Sequence, residues 1–100
     1  MYAERRGATR SHFGAIAEVI DLDQTHEVVS ITRDLSLSGC FVKTTLPFRE
    51  GTRVRVRITH SGADFTALGN VTANVTATGM GIAFTDIEPN DRAILETWLG

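Results

Sequence analysis

Apolar and polar positions alternate with a period of two along most of this chain, and glycine or turn-forming residues cut the alternation at short intervals. The clearest case is Arg53, Arg55 and Arg57 interleaved with Val54, Val56 and Ile58, which predicts a strand with one buried face and one row of guanidinium groups. The same pattern predicts strands over 15–20, 27–33 and 40–45. It also predicts a long strand over 65–76, bent or bulged at Gly69, and a short one over 80–85 with Met80, Ile82 and Phe84 on one face. Turns are expected at Asp21-Leu22-Asp23, His60-Ser61-Gly62 and Thr78-Gly79.

Only the last segment changes period. Pro89 suits the first turn of a helix, where its missing N–H has no partner to lose. Ile94, Leu95, Trp98 and Leu99 then share one helical face, and Gly100 ends it. Six strands and one terminal helix predict an all-β fold, an antiparallel barrel or sandwich with the helix packed against an opening or side. Trp98 is large for so small a barrel, so the apolar helix face is expected to close the core rather than to receive a partner.

Composition narrows the function more than the fold. The chain has 100 residues, 42% of them hydrophobic, which supports one core and not two. No apolar run is long enough to span a bilayer, and MYAERRGATR lacks the apolar segment of a secretory signal, so the expected location is the cytoplasm. Cys40 is the single cysteine, which leaves no intramolecular disulfide, and His12, His26 and His60 lack the spacing of a metal set. No metal or cofactor is expected. Nucleophile elbow, Walker phosphate loop and His-Glu-x-x-His are all absent from the sequence, and Asp21 with Asp23 reads as a solvated turn, so the chain is not expected to be an enzyme. Arg5, Arg6 and Arg10 crowd the first ten residues of a chain whose net charge is −2. A basic arm on a slightly acidic body fits a small anionic ligand better than a long nucleic acid.

Two motifs carry chemistry. The spacing Arg6-x-x-x-Arg10 is weak alone, because Arg49/Arg53 and Arg53/Arg57 repeat it. Asp34-Leu35-Ser36-Leu37-Ser38-Gly39 is more specific. In an extended segment Asp34 and Ser36 share one face, where a carboxylate can accept from the N–H edge of a guanine and a hydroxyl can bond a neighbouring ligand atom. Gly39 would let the chain turn tightly and leave room for a flat base. The same residues could equally close a hairpin turn with their own side chains.

Taken in order, Arg5-Arg6-x-x-x-Arg10, then Asp34-x-Ser36-x-x-Gly39, Gly51, the segment GMGIAF from Gly79 to Phe84 and a final helix resemble the PilZ domain family, as do the stretches DLSLSGCFVKT and LPFREGTRVRVRI. The likeness extends over essentially the whole chain. It implies a six-stranded antiparallel barrel and cyclic di-GMP as ligand, with Arg5, Arg6, Arg10, Asp34, Ser36 and Gly39 as binding residues. The expected layout is a flexible arm over 1–12 carrying the arginines and a barrel with its helix over 13–100. Binding would order the arm, and the domain would act as an adaptor on a partner protein. The rival readings are a PilZ-fold interaction domain that binds no nucleotide, and a small barrel that binds single-stranded nucleic acid through the Arg53, Arg55 and Arg57 row. Against the second, Phe41, Phe65 and Phe84 are expected in the core and not on a stacking surface.

Overall fold

In a computed structural model the described residues are 11–100. Seven strands and a helix follow in chain order: β1 (Ser11–His12), β2 (Ile16–Asp21), β3 (Glu27–Leu35), β4 (Gly39–Lys43), β5 (Arg53–His60), β6 (Ala63–Thr76), β7 (Gly79–Asp86) and α1 (Pro89–Leu99). The sheet runs β3-β2-β5-β6-β7-β4, and β4 pairs back onto β3, so six antiparallel strands close into a barrel. β1 is an extra two-residue strand laid along the end of β3.

The alternating pattern decides which side faces inward. On β5 the valines and Ile58 are fully buried while Arg53, Arg55 and Arg57 are exposed. Val19, Leu35, Val42, Phe65, Val71, Met80 and Ile82 complete the interior with them, and Leu95 of α1 closes it. Burying each such side chain contributes about 1.5–3 kcal/mol, which is what fixes the register of so short a chain. Trp98 lies 6.3 Å from Phe65 and 5.7 Å from Phe13, so the helix lids the barrel as its apolar face requires.

Local chemistry sets the corners. Ser61 and Gly62 take φ of 51° and 78°, the two left-handed positions of a tight hairpin joining His60 to Ala63. At the β2–β3 turn, the Asp21 carboxylate accepts from the N–H groups of Asp23 and Gln24 at 2.8 and 3.1 Å. The β6–β7 register shifts between Leu68 and Gly69, at the predicted bend. A second shift, between Val71 and Val75, has no glycine within it to announce it. There Thr72 Oγ1 accepts from Asn74 N at 3.1 Å and holds an irregular loop within the strand.

Glu88 precedes the helix without a side-chain cap, and Pro89 occupies the first turn. Asp91, also in that turn, accepts from Thr66 N on β6 at 2.9 Å and so pins the helix to the barrel. Asp91→Ala leaves that part-buried N–H without its acceptor. It is expected to lower stability by about 1–2 kcal/mol, read as a shift in the urea midpoint followed by Trp98 fluorescence.

Candidate functional site

The Asp34–Gly39 corner is built by the end of β3, a turn and the start of β4. Asp34 pairs with Phe41 across β3–β4 after a bulge between Thr32 and Asp34, and its side chain is 12% exposed. Arg33 donates to Asp34 Oδ2 from both Nε and Nη2, each at 3.0 Å. The same guanidinium lies 3.9 Å above the centroid of the Phe41 ring. One arginine is thus held between an aromatic face and a carboxylate.

Ser36 is placed differently. It is fully buried, and its hydroxyl lies 3.3 Å from Gly39 O, 3.2 Å from Ser38 N and 3.2 Å from Ser38 Oγ. Its backbone N–H donates to the same Gly39 carbonyl at 2.9 Å. At this position the turn-closing chemistry is the one realised. Gly39 has no left-handed φ, so it does not serve to turn the chain. The requirement for glycine comes from β7, because a Cβ on Gly39 would overlap the backbone carbonyl of Ile82. Gly79 is constrained in the same way by the Phe41 ring and the Val42 carbonyl.

Phe41 is a correction to the expected core. It is 2% exposed, but Cys40 and Val42 point into the barrel and Phe41 does not join their cluster. Its ring lies on the outer side, along bare glycine backbone and under Arg33. Phe65 is in the core as expected, and Phe84 packs partly buried against it. Sequence reasoning also missed Arg33. The available signal was its place immediately before Asp34, one residue from the motif.

Arg5, Arg6 and Arg10 lie outside the described residues. The chain beside them does not: Ser11 pairs with Leu35 and His12 with Asp34, so the described chain begins against the Asp34 end of β3. Beyond it, Phe13 N donates to Arg33 O at 3.1 Å, and the buried Thr32 hydroxyl bonds both Phe13 O and Ala15 N.

The arginine row on β5 is largely engaged within the barrel wall. Arg57 donates to Glu18 at 2.9 Å, and Arg53 sits 3.8 Å from Asp23. The Glu18 bond raises the Arg57 pKa above its ordinary value. Interleaved carboxylates make this face a poor polyanion surface. Among the described residues no three His, Cys, Asp or Glu side chains gather as a metal site, and no helix is long and apolar enough to cross a membrane.

The chain matches the PilZ domain family over residues 4–100, and it belongs to that family. No curated protein matches it in sequence. Among solved structures it resembles the inhibitor of motility MotI from Bacillus subtilis, at 16% identity and TM-score 0.76, with 96% of this chain covering 50% of that one. It also resembles the PilZ domain of CeSA from a cellulose-synthesizing bacterium, at 20% identity and TM-score 0.72, over 92% and 99% of the two chains. The PilZ domain of YcgR from Escherichia coli, solved with c-di-GMP, matches at 18% identity and TM-score 0.71, over 93% and 87%. The fold common to all three is the closed six-stranded antiparallel barrel with one C-terminal helix.

Gly39→Ala drives a methyl into the Ile82 carbonyl and is expected to cost about 1–3 kcal/mol or to prevent folding. Gly14→Ala serves as the control, since its nearest new contact is 3.9 Å away; its urea midpoint is expected to stay near that of the native chain.

Proposed function

We propose that this PilZ domain is a receptor module for cyclic di-GMP and not an enzyme, and that it signals through a partner protein. The carrying observation is the pairing of Ser11–His12 with Leu35 and Asp34. Consecutive Cα atoms are ~3.8 Å apart, so Arg10 is one step from this corner and Arg6 within about 18 Å of chain. The YcgR domain solved with c-di-GMP shares this fold and supports the choice of ligand.

In this reading Arg6 and Arg10 take phosphate oxygens or a guanine O6/N7 edge, and Arg5 adds positive charge beside them. Asp34 accepts from guanine N–H groups. A base entering there meets the Arg33 guanidinium, which lies 3.9 Å over the Phe41 ring and whose half-exposed side chain can stack on that base. Ser36 keeps the corner in shape through its turn bonds, and Gly39 lets β4 lie close to β7. The nucleic-acid alternative is less well supported, because the arginine row is interleaved with carboxylates and no aromatic ring of the described chain stands free beside it.

Isothermal titration with cyclic di-GMP is the test. Arg6→Ala, Arg10→Ala and Asp34→Ala are each expected to weaken binding by about 1–3 kcal/mol, roughly 5- to 150-fold, while Arg55→Ala leaves it unchanged. No heat of binding by the native chain would defeat the proposal. Ordering of the arm is read separately: amide exchange over residues 4–11 is expected to slow when ligand is added, and equal rates with and without it would reject the ordering step.

A further inference from the structure

The barrel closes over only part of β3. Its pairing with β4 runs over Thr32, Asp34 and Leu35 and stops at Thr32–Val42, whereas its pairing with β2 runs the full distance from Glu27 to Ile31. Which backbone groups face the open side follows from the ladder. Thr32 N donates to Ala15 O and Asp21 N to His26 O, both at 2.9 Å, so alternate residues of β3, Val28, Ser30 and Thr32, turn their N–H and C=O groups to β2. Val29 turns its groups the other way, where β4 has already left. A groove of about 480 Å³ lies along this edge, lined by Val29, Ser30, Lys43, Thr44, Ala77 and Thr78 among others.

Three observations point to what this edge takes. An unpaired main-chain N–H and C=O on a strand is completed by another extended main chain. Two of the three outward side chains of the same segment are apolar and open, Val29 60% and Ile31 48% exposed beside the exposed Glu27, and Ile16, directly opposite Ile31, is 54% exposed. An edge protected along its length would carry charge throughout; here charge is confined to Glu27 at the start, and Val29 and Ile31 present β-branched side chains that suit an added strand. Lys43, the only lysine of the chain, is the sole charged residue lining the groove and has no ion pair among the described residues.

The geometry points to a strand-addition site: residues 27–31 of β3 receive an extended segment of a partner protein, apolar at alternate positions and carrying a carboxylate for Lys43. The added strand pairs with Val29 through its backbone, lays its apolar side chains beside Val29 and Ile31, and completes the barrel wall that β4 leaves unfinished. This deepens the adaptor reading, since it gives the partner a class and a place. The edge runs into Arg33, so the docked segment and the proposed ligand corner share one strand.

The test uses the full chain and a phage-displayed library of random peptides as probe, with cyclic di-GMP titrated separately against every variant. Enriched peptides are expected to alternate apolar residues, to contain Asp or Glu, and to slow amide exchange at Val29. Val29→Pro, which removes the groove-facing N–H, and Lys43→Glu are each expected to weaken them ~10-fold, the worth of one to two hydrogen bonds, while Arg55→Ala does not. Circular dichroism of Val29→Pro checks that the barrel survives, and Val29 exchange in the native chain stands if it does not. Failure to enrich any peptide, or enriched peptides that leave Val29 exchange unchanged, overturns the inference. Because cyclic di-GMP binding is read on its own, failure here and failure of the receptor reading give different results.

Discussion

One buried hydroxyl fixes where the N-terminal segment meets the barrel. Thr32 is 1% exposed, and its Oγ1 bonds the carbonyl of Phe13 and the N–H of Ala15 at once. A buried backbone group left unpaired costs about 1–3 kcal/mol, so this hydroxyl satisfies two groups that the step from β1 to β2 would otherwise orphan. With residues 13–15 held there, β1 has one place to lie, along Asp34 and Leu35. The bulge beside Thr32 turns the following residues, and with them the carboxylate, onto the surface that β1 borders. The shape of the corner depends on that arrangement more than on any one charged group.

Around it the site is built on backbone proximity. Gly39 and Gly79 let β4 and β7 approach more closely than any side chain permits, and Phe41 covers the bare strip this leaves. Arg33 is oriented by two contacts that need no ligand, the Phe41 face and the Asp34 carboxylate. Half of the Arg33 side chain is exposed, so its ion pair adds only modestly to stability and mainly sets geometry. A preset guanidinium loses less freedom on stacking a base than a free one would, which is how a shallow surface can bind a small anion well.

Much of this was legible in the residues. Strands with strict alternation, such as β5, and the helix opened by Pro89 stand where the pattern puts them, because burial on one face leaves no other register. The bulge at Gly69 was legible through its glycine; the one at Thr72–Asn74 was not, since it is held by a side-chain hydroxyl and not by a missing side chain. β1 is two exposed residues paired through backbone alone, and backbone pairing has no hydrophobic signature. Phe41 was misplaced because β4 is buried on both faces, so its apolar run carries no alternation to read. Ser36 kept two meanings in sequence, ligand contact and turn closure, and only the position of Gly39 O separates them.

In the proposed function, the surface at Asp34, Arg33 and Phe41 is where the domain meets cyclic di-GMP. Backbone amide chemical shifts followed through a titration with cyclic di-GMP test it most directly. The largest changes are expected at residues 10–13, 33–39 and Phe41, with the β5 face still. Changes centred on Arg53, Arg55 and Arg57, with the Asp34 corner unmoved, would contradict it.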